Sequence, residues 1–237
     1  MPPREPMFHV KICGVTSADD ARMVAAAGAD AIGLNFVPGS PRCLSIAAAR
    51  EVARAIPADV LVVGVFAGQP VADIQRIVAE VGLDAVQLHG HLSGTGVVDP
   101  PEVCGGLAPL AVIRAVRLGP DGLAAARSWL AAAAAAGHAA TMAVVDAAVT
   151  AGTTAGQLGG TGATIDWSGL AAAGDLGIPL AVAGGLTPGN VAEAIATSRA
   201  EAVDTASGVE SAPGRKDPEK VRDFCRAARA ALAAREG

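Results

Sequence analysis

The chain has 237 residues, 51% of them hydrophobic, with 18 basic and 23 acidic side chains and a formal net charge of −5. That length accommodates one barrel domain or two small domains. The acidic balance, the lack of a basic run, and 3% aromatic residues with no tyrosine argue against a nucleic-acid surface. No apolar stretch reaches the roughly 18 uninterrupted residues of a membrane span. Residues 1–6 precede no signal-peptide core and are expected to form a flexible tail. The four cysteines, Cys13, Cys43, Cys104 and Cys225, make no C-x-x-C pair. With a core this large they are expected to be reduced, in the cytoplasm.

Taken in order, short apolar runs alternate with amphipathic segments. Strands are expected over 8–13, 31–36, 60–66 and 85–88, then 111–116, 141–146, near 180–186, and in the short apolar run 202–210 that ends in small residues. The intervening helices are expected over 18–27, 45–56, 71–81, a short one near 101–105, 121–136, 166–173 and 188–198, with a closing amphipathic helix over 217–235. Ser17 (or Thr16) and Ser45 are placed as helix N-caps, and Gly28 and Gly82 as helix stops. Connections of two to eight residues between strand and helix argue for a parallel sheet. The one long connection, 147–164, is rich in Gly and Thr, and such loops are often functional. Eight strand–helix units in this length indicate a single-domain (β/α)8 TIM barrel over 1–237. A doubly wound open sheet is the alternative, but no glycine fingerprint follows the first strand.

In such a barrel the C-terminal strand ends face the active site, and the loops after strands seven and eight hold phosphate. The small residues at Gly184-Gly185 and at Ala206-Ser207-Gly208 fit that cradle, since glycine lets backbone N–H groups approach an anion. The same rule selects Lys11 and Cys13 on one face of strand 1, and Gln87 and His89 on one face of strand 4. It also selects Asp146 at the end of strand 6 and Asp204 on strand 8. Each has an ordinary reading: buried filler for the cysteine, a helix cap for Asp146, a core histidine for His89. Together they place a thiol, an ammonium and a carboxylate near a phosphate site, which suits proton transfer on a phosphorylated small molecule. No metal-ligand spacing or dinucleotide motif is present, so no metal or cofactor is expected.

These motifs, in their order along about Val10 to Ala228, resemble those of phosphoribosylanthranilate isomerase of tryptophan biosynthesis. They are Lys11-Ile12-Cys13-Gly14, Gly33-Leu34-Asn35-Phe36 with Ser40-Pro41-Arg42, Val63-Gly64-Val65-Phe66, Val86-Gln87-Leu88-His89-Gly90 and Asp146. Further on come Gly159-Gly160-Thr161-Gly162 with Asp166-Trp167, Ala183 to Pro188, and Val203 to Glu210 with Pro213-Gly214-Arg215-Lys216-Asp217. The resemblance implies an Amadori rearrangement with Asp146 as general acid and Cys13 as general base. It places Arg42 on the substrate carboxylate, Lys11, His89 and Asp204 around the substrate, and Gly160, Gly162, Gly184, Gly185, Ser207 and Gly208 at the phosphate. Lys11 is the expected source of the positive field that a thiolate base needs. The chain departs from the family pattern at Ala206, where a second serine is usual, at Cys43, and over the irregular stretch 91–109. Rival readings are the related Amadori isomerase of histidine biosynthesis, which carries aspartate where Cys13 stands, a phosphosugar epimerase or synthase, and a non-catalytic barrel that binds a phosphorylated metabolite. The expected partner is a small phosphorylated substrate, without nucleic acid or membrane, and the expected state a monomer or homodimer.

Overall fold

The computed structural model describes residues 5–90, 99–118, 121–146 and 167–236. Eight parallel strands close into a barrel: β1 (Val10–Cys13), β2 (Ala31–Asn35), β3 (Leu61–Phe66), β4 (Ala85–Leu88), β5 (Ala111–Arg117), β6 (Met142–Asp146), β7 (Leu180–Ala183) and β8 (Ala202–Thr205). The ring is sealed where β1 pairs with β8, with Lys11 opposite Asp204. Helices α1 (Ala18–Ala26), α2 (Ile46–Arg54), α3 (Val71–Val81), α4 (Glu102–Leu107), α5 (Ala124–Ala135), α6 (Trp167–Ala172) and α7 (Val191–Ser198) follow the first seven strands in turn, and α8 (Pro218–Glu236) closes the chain. The (β/α)8 barrel is therefore as the alternation indicated.

The helix ends follow from local chemistry. Ser17 and Ser45 each accept a hydrogen bond from a first-turn N–H, of Asp20 at 3.1 Å and of Ala48 at 3.2 Å. Gly82 ends α3 in the left-handed conformation at φ 79°. One short feature departs from the expected pattern. After β8 comes a single 3-10 turn (Ser207–Val209), then a small antiparallel hairpin of β9 (Glu210–Ala212) and β10 (Arg215–Lys216). Strands of three and two residues are too short to show an alternating pattern.

Two apolar layers hold the barrel. Outward-facing strand residues such as Ile12, Ile32, Val86, Val112 and Val203 pack under the helices. Inward-facing Ala31, Val63, Ala85, Ile113, Met142, Ala181 and Ala202, with Phe8 at the base, fill the lower interior. Higher up, the same inward rows change to Cys13, Asn35, Gln87, Asp146 and Asp204, and these open onto a cavity. The strand period of two thus carries each row from packed core to polar mouth.

At the opposite end, Asp30 joins three elements. Its Oδ2 accepts from the backbone N–H groups of His9 at 3.0 Å and Val10 at 2.9 Å, and its Oδ1 pairs with Arg229 of α8 at 2.5 Å. Removing these bonds should cost stability without touching the mouth. Asp30→Ala is expected to lower the unfolding free energy by about 1–3 kcal/mol in urea titration while leaving turnover close to that of the parent. A loss of turnover comparable to a mouth mutation would show that the two ends are coupled.

Candidate active site

The cavity at the C-terminal mouth has a volume of about 300 Å³, the lower end of the range for a small-molecule site. Its wall carries Cys13, Arg42, His89, Asp146, Gly184, Gly185, Asp204 and Ser207, so residues from six separate segments of the chain meet there. Lys11 is fully buried and does not line the cavity. Its Nζ lies 2.9 Å from Asp204 Oδ2, and Asp204 forms the wall. Gly208 also stands behind the surface: a Cβ on it would fall 1.7 Å from the Leu186 carbonyl oxygen, so only glycine lets the loop pass there. Gly160 and Gly162 lie outside the described residues.

The electrostatics around Cys13 differ from the expected picture of a thiol activated by Lys11. Burial alone would push the Lys11 ammonium down, but the facing Asp204 and Cys13 more than offset this and raise it. Burial likewise raises Asp204, and Lys11 only partly counters it. For Cys13 burial is again the largest cause, and Asp204 adds to it. Lys11 and Lys216 pull the other way, and the thiol remains raised above its ordinary value. Lys11's charge is answered first by Asp204, directly opposite in the β1–β8 register.

Arg42, on the loop after β2, lies across Gly14; a Cβ on Gly14 would come within 2.2 Å of Arg42 Cδ. Its Nε and Nη2 donate to the two oxygens of Glu210 at 2.8 and 2.7 Å, a bidentate pair. Lys216 Nζ, itself buried, donates to Glu210 Oε1 at 2.9 Å, to the Cys13 carbonyl at 2.7 Å and to the Ala206 carbonyl at 3.0 Å. Burial opposes charge on Glu210, but Arg42 and Lys216 outweigh it and hold the carboxyl below its ordinary value. Neither Glu210 nor Lys216 was singled out as a site residue from sequence. Their contacts run to segments 168 and 203 residues away in the chain.

Gly184 and Gly185 follow β7 with φ of 88° and 61°, a left-handed stretch that favours glycine. Ala206 and Ser207, of the neighbouring loop after β8, line the same cavity. Asn35 and Arg117, also absent from the sequence-derived set, complete the wall. Arg117 is the last residue of β5, paired in register with Asp146; a strand expected to end at 116 leaves it out.

The β4 end is held from behind by a buried cluster. Arg114 Nη1 contacts the Leu88 carbonyl at 3.1 Å and Asp99 Oδ2 at 3.2 Å, with its guanidinium 4.6 Å from the Trp129 ring centroid. Asp99 in turn accepts from Gly68 N at 2.6 Å and Gly90 N at 2.5 Å. This fixes the backbone beside His89, whose Nδ1 lies 3.3 Å from Gln87 Nε2. Among the described residues no group of three or more His, Cys, Asp or Glu side chains could hold a metal ion.

A (β/α)8 barrel whose mouth sets a thiol and a carboxylate on the strands flanking glycine-bearing seventh and eighth loops belongs to the class of enzymes acting on phosphorylated sugars. The chain matches the model of the N-(5'-phosphoribosyl)anthranilate (PRA) isomerase family over residues 10–227, and it belongs to that family. It is 44% identical over 222 residues to the N-(5'-phosphoribosyl)anthranilate isomerase of Myxococcus xanthus, covering 93% of this chain and 96% of that one. The crystal structure of phosphoribosyl anthranilate isomerase from Thermotoga maritima superposes with a TM-score of 0.79 at 34% identity, covering 94% of this chain and all (100%) of the other. A structure of phosphoribosyl anthranilate isomerase in complex with reduced 1-(o-carboxyphenylamino)-1-deoxyribulose 5-phosphate superposes at 0.75 with 32% identity, covering 94% and 100%.

The raised thiol makes a direct prediction. A raised pKa means less thiolate at a given pH, so alkylation of Cys13 by iodoacetamide, followed by peptide mass mapping, should keep rising with pH beyond the ordinary thiol midpoint of about 8.5. The exposed Cys43 serves as an internal reference. A midpoint well below 8.5 for Cys13 would show that the cations prevail over burial.

Proposed function

We propose the following division of labour for the reaction this chain carries out as a member of its family, the Amadori rearrangement of N-(5-phosphoribosyl)anthranilate to 1-(2-carboxyphenylamino)-1-deoxyribulose 5-phosphate in tryptophan biosynthesis. Asp146 gives its proton to the ribose ring oxygen as the bond from that oxygen to C1′ breaks and the nitrogen lone pair forms the C1′=N bond. The resulting cationic imine acidifies C2′–H, and the Cys13 thiolate takes that proton. The electron pair moves to C1′=C2′ and neutralises the nitrogen. The enaminol then becomes the ketone by moving a proton from the C2′ hydroxyl to C1′, so the overall change is an isomerisation.

The placement of Cys13 and Asp146 on one cavity wall carries this reading. A raised thiol pKa leaves fewer thiolates at neutral pH, but each is a stronger base, the trade expected of general base catalysis. Among the described residues Asp204 Oδ1 and Gln87 Oε1 are buried acceptors without a hydrogen-bond partner, both on cavity-lining residues, and they suit the substrate's sugar hydroxyls. His89 stands beside Gln87 for the same contact. Lys11 acts by holding Asp204 in place. Gly184, Gly185 and Ser207, with Gly208 permitting the turn and Gly160 and Gly162 from the long loop, receive the phosphate. Arg42 takes the anthranilate carboxylate. Among the described residues no helix is long and apolar enough to cross a membrane. The chain works in the cytoplasm as one barrel domain, monomeric or as a homodimer, on a small phosphorylated substrate.

Cys13→Ser is the test. Serine keeps the shape but is far too weakly acidic to supply the base, so kcat should fall by about 10²-fold or more while an inhibitory substrate analogue binds with near-parental affinity. Near-full activity would remove Cys13 from the base role.

A further inference from the structure

We propose that Glu210, locked by Lys216, is the positioning residue that presents the Arg42 guanidinium to the aromatic carboxylate of the substrate; this rests on the assignment of Arg42 given above. A guanidinium has five N–H donors in a fixed fork. Glu210 takes the Nε edge through Nε and Nη2. That leaves both Nη1 donors and the second Nη2 donor, so one parallel pair is still available for a second carboxylate. The Arg42 side chain is only 11% exposed and is pinned below by Gly14, so its free edge has a set direction.

The charge balance explains why a carboxylate so close to Arg42 does not cancel it. Arg42 and Lys216 share the anion Glu210, so these three side chains sum to one positive charge, before the Lys220 ammonium is counted. Paired with Arg42 alone, Glu210 would cancel the guanidinium charge and leave little net attraction for an incoming carboxylate. Lys216 spends its three donors on Glu210, the Cys13 carbonyl and the Ala206 carbonyl. It therefore ties the carboxylate-binding arginine to the main chain of the base and to the loop after β8. Lys220 adds a bond to the Glu210 carbonyl at 2.8 Å. Beside Arg42, Val37 and Val65 line the cavity and pack with Ala67 and Cys13, giving an apolar wall for an aromatic ring that bears the carboxylate. These features select a planar aryl carboxylate on the sugar.

The opposite role is that Glu210 competes with the substrate for Arg42, and binding distinguishes the two. Titration calorimetry would use two ligands: reduced 1-(o-carboxyphenylamino)-1-deoxyribulose 5-phosphate and the same molecule without its ring carboxylate. Neither measurement depends on turnover. Glu210→Gln should weaken the carboxylated ligand about ten- to a hundredfold, the scale of a charge-assisted hydrogen bond, and change the other by less than about threefold. Glu210→Asp keeps the charge but is one methylene short of reaching both cations. It should lose less of this discrimination than Gln, and it stands in if the Gln variant fails to fold. Arg42→Ala is the reference. If it leaves the discrimination between the two ligands unchanged, the carboxylate assignment of Arg42 is wrong. If it abolishes the discrimination while Glu210→Gln leaves it intact, tightens the carboxylated ligand, or weakens both ligands equally, the positioning role is overturned.

Discussion

A buried ion pair at the closing seam of the barrel constrains everything above it. Lys11 and Asp204 face each other across the β1–β8 pairing with their charged atoms 2.9 Å apart, and neither is more than 8% exposed. Taking two such charges from water costs several kcal/mol per ion, and their attraction does little better than break even. The pair is a poor way to stabilise a barrel whose lower interior is already filled by Val63, Ile113 and Met142. Its value lies in what it presents to the cavity: a carboxylate with one oxygen held and the other without a partner among the described residues, and a cation beside Cys13 whose field is largely answered.

Two further buried ionic clusters support the mouth. Arg42, Glu210 and Lys216 form one beside the β1–β8 seam, and the buried Arg114–Asp99 pair fixes the backbone at the β4 end. Each cluster bonds a main-chain group of the catalytic rim: the Cys13 and Ala206 carbonyls for Lys216, and the Leu88 carbonyl and Gly90 N–H for the Arg114–Asp99 pair. The loops of a barrel mouth lack a ladder of their own. Here buried ionic contacts supply the missing order, so the polar groups the substrate meets stand on fixed backbone.

Much of this was legible in the sequence, and the rest fails for identifiable reasons. The eight strands and their helices follow from apolar alternation with Ser17, Ser45 and Gly82 as punctuation, and those signals are local. Cys13, Asp146 and Asp204 could be selected because strand ends face the site. The net effect on the Cys13 thiol could not. Lys11 lies on the same face two residues away, but the carboxylate opposite it becomes visible only when the strand register closes the ring. Glu210 and Lys216 sit on strands of three and two residues, where no periodicity exists to read. Arg117 was missed by one residue of strand length, and that residue has the parity of Ile113 and Ala115.

The Lys11–Asp204 pair thus serves the site and not the stability of the barrel. The direct measurement is urea unfolding together with turnover of the Lys11→Met, Asp204→Leu double variant, in which both charges are exchanged for apolar side chains. Stability should stay within about 1–2 kcal/mol of the parent or rise, as buried pairs replaced by apolar groups often do, while kcat collapses. A barrel that loses about 4 kcal/mol or more, or one that keeps its turnover without either charge, would contradict it.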